Sequence, residues 1–199
     1  MSGFSDEKRA YIRSELLETG RELFARYGLK KTTISDLTDP VGIANGTFYQ
    51  FFDSKEALYL ELLEAEGEDL AERFISESFE RYEQPEAAIE AFILAVMDEI
   101  ETNPLIHQLV VEDELERLRD EFSDERIQNE QQRDIGYYLP YIEVWYEQGQ
   151  VQGPSPEVVA HAIRSVTFLT LHEEDIPMYQ EVKKTTAAAL ARGLTDTTP

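Results

Sequence analysis

The segment at residues 33–58, TISDLTDPVGIANGTFYQFFDSKEAL, constrains the fold of this 199-residue chain more than any other. Thr33 can cap a helix, and Asp36 three positions later can complete a capping box. Pro40 is poorly tolerated in a helix interior and disfavours helical angles at Asp39. The helix that begins here is therefore predicted to be short.

A glycine and three phenylalanines shape the second half of the segment. Gly42 suits a tight turn that requires a positive φ. A helix of about two turns is predicted over residues 45–52, with Phe48, Phe51 and Phe52 on one side. Two short helices around a glycine turn are the arrangement that places one helix in the major groove of DNA. The other side of the second helix carries Asn45, Thr47, Tyr49 and Gln50.

These residues, together with the helix before them, resemble the N-terminal DNA-binding domain of the TetR family of transcriptional regulators. Gly20 and Thr38 depart from the family, which usually has alanine there, and Pro40 stands where the family has an ordinary helix former. The rest of the chain is similar to the family only in length and helical character. The matching residues are Leu23, Phe24, Gly28, Thr32, Thr33, Ile34, Asp36, Leu37, Gly42, Ile43, Gly46, Thr47, Phe48, Tyr49, Phe52, Ser54, Lys55, Glu56, Ala57 and Leu58.

The resemblance implies a set of DNA contacts. Amide side chains can read adenine, and threonine or tyrosine can reach a phosphate or a thymine methyl group. The implied base-contacting residues are Asn45, Thr47 and Gln50, the implied phosphate contacts are Thr33, Tyr49 and Lys55, and Gly46 completes the predicted DNA-binding set.

The resemblance also implies the architecture. It predicts an all-α fold with an N-terminal three-helix helix-turn-helix domain and a larger C-terminal helical bundle, about nine helices in all. The last two helices are implied to form a homodimer interface, which would let two reading helices recognise a palindromic operator. The predicted parts are a DNA-binding domain at 1–53, a ligand-binding and dimerisation domain at 54–193 and a flexible tail at 194–199.

Proline and glycine positions predict the helix boundaries of the larger domain. A long helix is predicted from residue 54 to about residue 82, and further helices open at Pro85 and Pro104. A helix over 123–148 contains Pro140, which should bend or break it. The last two helices are predicted over 156–172 and 176–193.

The charge is distributed unevenly along the chain. The net charge is −23, yet residues 1–60 carry 8 basic against 9 acidic side chains, whereas residues 61–199 carry 10 against 32. The acidic excess therefore lies outside the predicted DNA-binding segment. Two explanations stay open: ordinary acidic drift, and adaptation to a cytoplasm of very high salt, where screening weakens carboxylate repulsion. We favour the second, halophilic one.

The resemblance implies a pocket for a small-molecule effector among the middle helices, where aromatic residues gather. His107, Tyr138, Tyr141 and Trp145 are the predicted lining, because Pro104 and Pro140 would distort the nearby backbone and so help to shape a cavity. The resemblance thus implies a repressor released from its operator by an unknown small molecule. The alternatives are an activator without a small-molecule ligand and a helical protein-interaction module without DNA affinity.

Catalytic and metal-binding motifs are absent from the sequence. The three histidines lie at no metal-ligand spacing, and there is no glycine-rich phosphate loop or nucleophile elbow. The absence of cysteine excludes disulfides and thiolate chemistry. We therefore expect no enzyme activity, no cofactor and no metal. With no apolar run of membrane-spanning length and no signal peptide, we expect a cytoplasmic protein that does not bind membranes.

Overall fold

The computed structural model describes residues 5–110, 118, 133 and 135–196, and these residues form an all-α fold. None of the helices among them is both long and apolar enough to cross a lipid bilayer. The helices are α1 (Asp6–Lys31), α2 (Ile34–Thr38), α3 (Asn45–Phe48), α4 (Lys55–Glu77), α5 (Pro85–Thr102), α6 (Pro104–Val110), α7 (Leu139–Glu147), α8 (Pro156–Thr167), a 3₁₀ helix (Phe168–Asp175) and α9 (Tyr179–Thr195).

The chain divides into two compact units. The first comprises residues 1–66 and 103–122, and the second comprises residues 67–102 and 123–199. The boundary between the units falls inside α4, so this one helix contributes to both. The functional division proposed from the sequence at residues 53 and 54 stays a prediction.

The first unit is built around the middle of α1. Phe24 is fully buried, and the ring of Tyr59 meets its edge with the two centroids 5.0 Å apart. The Tyr59 hydroxyl donates to the carbonyl oxygen of Leu105 at 3.4 Å, which ties α4 to α6. Gly28, at a φ of 75°, breaks the helical path of α1. Other fully buried side chains of this unit are Leu16, Leu29, Leu37, Phe48 and Leu58.

The second unit has its own apolar core. Helices α5, α7, α8 and α9 supply most of it, together with Phe79 from the turn after α4. Burial of so many aliphatic and aromatic side chains is the main favourable term in the stability of this unit. The fully buried members are Ala88, Ile89, Ile93, Met97, Ile142, Ala160, Ile163, Ala187 and Ala191.

A buried lysine joins α5 to α9. The Nζ of Lys183 lies 2.5 Å from Asp98 Oδ1 and 2.7 and 2.8 Å from the two carboxylate oxygens of Glu101. The hydroxyl of Tyr179 donates to Glu101 Oε1 at 2.7 Å. Lys183 is only 1% exposed, so its charge depends on these carboxylates for compensation. Nothing in the local sequence predicted this network.

Several predicted helix starts are confirmed, whereas the predicted ends were less accurate. Helices α5 and α6 begin at Pro85 and Pro104. Helix α4 ends at Glu77, not near residue 82. The amide of Glu80 donates to the carbonyl of Ile75 at 3.0 Å, a five-residue bond that leads the chain out of the helix.

The prediction of one helix over 156–172 was wrong. Helix α8 stops at Thr167, and the chain continues as a 3₁₀ helix. The hydroxyls of Thr167 and Thr170 each donate, at 2.7 Å, to a carbonyl three residues earlier. Such side-chain bonds favour the tighter winding of a 3₁₀ helix.

Pro140 breaks the helix predicted over 123–148. Residues 137 and 138 form a turn, and Pro140 lies in the first turn of α7. A proline there loses nothing, since the first amides of a helix have no intrahelical acceptor. Residues 123–132 and 134 of the predicted helix lie outside the described residues.

Candidate nucleic-acid interface

Helix α2 begins at a complete capping box. The amide of Asp36 donates to Thr33 Oγ1 at 3.3 Å, and the amide of Thr33 donates to Asp36 Oδ2 at 2.9 Å. The Thr33 hydroxyl also donates to that carboxylate at 2.6 Å. The hydroxyl bond and then the backbone bond lower the pKa of Asp36. Thr33, a predicted phosphate contact, therefore also serves as the N-cap of α2.

The turn between α2 and α3 is a Schellman motif. Ile43 N donates to Thr38 O and Gly42 N donates to Asp39 O, both at 3.2 Å, while Gly42 has a φ of 73°. The prediction of a positive φ at Gly42 is confirmed. The prediction that Pro40 would displace Asp39 from helical angles was wrong, because Asp39 keeps a φ of −61° and a ψ of −45°. Its amide still donates to Ser35 O at 2.9 Å, which holds it in the helical turn.

A polar contact links α2 to the start of α3. The buried Thr38 hydroxyl lies 2.7 Å from Asn45 Oδ1 and 2.9 Å from Ile34 O. Asn45 Nδ2 donates to Ser35 Oγ at 2.8 Å. Both polar atoms of the Asn45 side chain are thus engaged within the motif. The departure at Thr38 from the usual alanine supplies one of these bonds.

Helix α3 is shorter than the predicted helix over 45–52. Its α-helical part ends at Phe48, and the next two turns are closed by bonds from Gln50 N to Thr47 O and from Phe51 N to Phe48 O. Phe48 and Phe52 face inward, at 0% and 5% exposure. Tyr49 and Gln50, which lie between these two phenylalanines, remain at the surface.

The outer face of α3 carries most of the predicted DNA-contacting residues. Gly46, Tyr49 and Gln50 are exposed and Thr47 is half-buried. Tyr49 is 58% exposed, and its ring stands edge-on to Phe48 with the centroids 5.5 Å apart. Within the part of the chain that the structure describes, the side chains of Thr47, Tyr49 and Gln50 form no hydrogen bond. Their polar groups are therefore available to a partner.

Lys55 lies at the start of α4 but is directed toward the end of α1. Its Nζ donates to Leu29 O at 2.6 Å and to Thr32 O at 2.7 Å. A cation at a helix C-terminus stabilises the carbonyls that have no intrahelical partner. The predicted phosphate contact is thus also a cap for α1.

Two arginines of α1 contact residues 50–52, which follow α3, and no pattern in the sequence pointed to either. Arg9 donates to Gln50 O at 3.1 Å, and its guanidinium carbon lies 5.1 Å from the centroid of the Phe51 ring. The guanidinium carbon of Arg13 lies 5.1 Å from the centroid of the Phe52 ring, and its Nη2 lies 2.5 Å from Glu61 Oε2. The contacts span about forty positions of sequence, so no local pattern signals them.

The predicted effector-site residues are divided between the two units. His107 lies on α6 in the first unit, whereas the other three surround Phe79 in the second. The Phe79 centroid lies 5.9, 5.3 and 5.5 Å from those of Tyr138, Tyr141 and Trp145. These four residues form an aromatic cluster in the second unit.

Two tyrosine hydroxyl groups of the aromatic cluster donate hydrogen bonds to neighbouring residues. The buried Tyr138 hydroxyl donates to Ala160 O at 3.0 Å, and the Tyr141 hydroxyl donates to Glu80 Oε1 at 3.2 Å. Burial and then the bond to Glu80 raise the pKa of Tyr141. Within the described residues, no group of three histidine or carboxylate side chains is placed to hold a metal ion.

Two short helices joined by a Schellman turn, with a polar outer face on the second, define a helix-turn-helix DNA-binding protein. Residues 16–62 match the family described as "Bacterial regulatory proteins, tetR family". The chain is 32% identical over 154 residues to the HTH-type transcriptional repressor KstR2 of Mycobacterium tuberculosis, a match that covers 66% of this chain and 72% of that repressor. This protein belongs to the TetR family, and it is a DNA-binding transcriptional regulator and not an enzyme.

Solved structures show the same fold. A TetR-family transcriptional regulator from Pectobacterium atrosepticum superposes with a TM-score of 0.73 at 20% identity, covering 97% of this chain and 98% of that one. The structure of the ketosteroid transcriptional regulator KstR2 of Mycobacterium tuberculosis gives a TM-score of 0.58 at 24% identity, with 98% of each chain covered. Repressors named KstR2 from several bacteria are matched over 28% to 72% of their lengths.

Proposed function

We propose that this protein is a homodimeric repressor that binds an inverted-repeat operator through α3 and releases it when a small molecule binds in the second unit. The outer face of α3 is the observation that carries the proposal. It presents polar groups without partners in the described chain, on a helix held from behind by Phe48 and Phe52. The KstR2 relative is named a repressor, which supports the sign of regulation.

In this proposal, Thr47 and Gln50 are the residues that contact the DNA bases. Gln50 can form a bidentate contact with adenine, and Thr47 can contact a thymine methyl group. Tyr49 would donate to a phosphate. Asn45 would have to give up its bonds to Thr38 and Ser35 before reading a base. We therefore assign Asn45 to holding the angle between α2 and α3.

An apolar surface on the last helices supports the dimer. Val158 is 48% exposed and Met178 73% exposed, with Phe168 and Leu171 exposed on the intervening 3₁₀ helix. Val159, Ala160 and Ile163 of the same region face the core instead. A contiguous exposed apolar patch is characteristic of an interface, and a two-fold dimer would present two α3 helices to the two halves of a palindrome.

The aromatic cluster is the proposed effector site. Stacked rings favour an apolar, ring-containing molecule, and the hydroxyl of Tyr141 offers one polar contact. KstR2 of Mycobacterium tuberculosis is named a ketosteroid transcriptional regulator. A molecule with fused apolar rings would suit the aromatic cluster of this protein. Coupling to DNA would run along α4, which belongs to both units.

Selection of bound DNA from a random library, at low and at molar KCl, tests the proposal. Enrichment of one inverted repeat is expected. For a protein adapted to high salt, the repeat should still be enriched at molar KCl, because hydrogen bonds and shape would replace the phosphate ion pairs that salt weakens. Folded protein that enriches no sequence at either salt concentration would overturn the repressor proposal.

Gly42 in the turn between α2 and α3 and Gly46 in α3 should respond differently to alanine. Gly42→Ala should lower the free energy of unfolding by about 1 kcal/mol, since a side chain in the left-handed region is strained. Gly46 lies in α3 and is exposed, with no atom within 4 Å of an added Cβ, so Gly46→Ala should raise the free energy of unfolding by up to about 1 kcal/mol. Gly46→Ala should also weaken DNA binding, because the added methyl group would lie between α3 and the major groove. Urea unfolding and operator titration of both variants provide the comparison; a Gly46→Ala protein with full affinity would contradict the placement of α3.

A further inference from the structure

We propose that Arg9 is a positioning residue for operator recognition and acts on α3 through the planar shape of its guanidinium, without contacting phosphate. The inference rests on the proposed DNA-binding role of α3. Arg9 donates to the carbonyl of Gln50 at 3.1 Å. The same group lies 5.1 Å from the centroid of Phe51. It therefore contacts the backbone of one reading residue and the side chain that follows.

The geometry explains why this contact is needed. The α-helical part of α3 is only four residues long, and the chain after it is closed by two three-residue bonds and by one four-residue bond, from Phe52 N to Phe48 O. A segment this short has little helical stability of its own. The carbonyl of Gln50 lies at its C-terminal end, where a cation is favourable. Arg9 thus fixes the backbone at Gln50, and with it the direction of a side chain proposed to read a base.

A second arginine of α1, Arg13, contacts the adjacent phenylalanine. It lies one turn further along α1, with its guanidinium 5.1 Å from the centroid of Phe52, and it pairs with Glu61 of α4 at 2.5 Å. Arginines on two successive turns of α1 therefore contact Phe51 and Phe52, one ring each. Lysine retains the charge of arginine but loses the planar stacking and the directed N–H groups.

Operator titration of Arg9→Lys over a series of KCl concentrations tests the inference. We expect about a tenfold weaker affinity with the slope of log K against log salt unchanged, since stacking and not charge has been removed. Phe51→Leu should give a similar loss, and the double variant should lose no more than either single one. Arg26→Lys is the matched control, because Arg26 also stacks 5.1 Å from an aromatic centroid, but on its neighbour Tyr27.

Two outcomes would overturn the inference. Full affinity in Arg9→Lys, with a reduced salt slope in Arg9→Gln, would make Arg9 a phosphate contact. Unchanged amide exchange at Phe51 and Phe52 in DNA-free Arg9→Lys would show that Arg9 does not hold the segment; we expect about fivefold faster exchange there with an unaltered melting temperature. The exchange measurement needs no operator, so it remains decisive if no DNA sequence is selected.

Discussion

Replacing Lys183 by methionine is expected to lower the free energy of unfolding by about 3 kcal/mol. Methionine fills similar space, but it leaves the carboxylate of Glu101 without its cation. The Glu101 side chain is only 12% exposed, so water cannot fully compensate. Asp98, whose side chain is 66% exposed, contributes less to the loss. Urea unfolding followed by circular dichroism measures the effect.

Two further variants separate charge compensation from simple packing. Lys184→Met removes a neighbouring lysine that is exposed, and it should change stability by less than about 0.5 kcal/mol. Adding Glu101→Gln to Lys183→Met removes the uncompensated charge while keeping an acceptor for the Tyr179 hydroxyl. More than half of the lost stability should return. A double variant as unstable as Lys183→Met would show that the loss comes from packing.

The same network predicts loss of stability in alkali. Burial lowers the pKa of Lys183, but its bonds to Asp98 and then Glu101 outweigh burial and raise it above the ordinary 10.5. Burial and then the bond to Glu101 raise the pKa of Tyr179 above 10.0. Both groups release protons more readily in the unfolded chain. Their stabilisation is therefore complete below about pH 10 and is lost as the pH rises further. Lys183→Met should flatten this part of the pH profile.

Gln50→Ala should give the largest loss of operator recognition. A good bidentate base contact contributes about 1–3 kcal/mol of discrimination, so about a 10- to 100-fold weaker affinity is expected for each half-site. The loss should be confined to one symmetric pair of operator positions, where all four bases become nearly equivalent. Titration against operators substituted at every position measures this pattern.

Tyr49→Phe is the control within the same segment. It removes a hydroxyl proposed to donate to phosphate and keeps the ring on Phe48. The loss should be smaller and equal for every operator sequence, because phosphate contacts carry no sequence information. Equal weakening at all positions in Gln50→Ala as well would remove Gln50 from base reading.

Local chemistry made the helix starts predictable. A capping residue or a proline acts within one turn, so Thr33, Pro85 and Pro104 indicated where α2, α5 and α6 begin. The positive φ of Gly42 followed from the same short-range reasoning. Helix ends depend more on competing bonds. The 3₁₀ helix after Thr167 arises from hydroxyl contacts that neither composition nor periodicity reveals.

The partners of individual side chains were not predictable. Lys183 and Glu101 are 82 positions apart, and Arg9 and Gln50 are 41 apart. Such pairs form only once the helices have packed, and a single sequence does not record their proximity. Asn45 illustrates the same limit, because its residue type suits base reading while the structure engages its amide with Thr38 and Ser35. Residue type indicates what a side chain can do, and packing decides which partner it meets.

Trp145 gives the protein an intrinsic optical reporter. It is the single tryptophan of the chain, and its ring lies 5.5 Å from the centroid of Phe79 in the second unit. The first unit contains tyrosine and phenylalanine but no tryptophan. Indole fluorescence will therefore follow changes around the aromatic cluster, while melting of the DNA-reading helices remains nearly silent. Comparing emission with circular dichroism will show, without any label, whether the two units unfold together or one after the other.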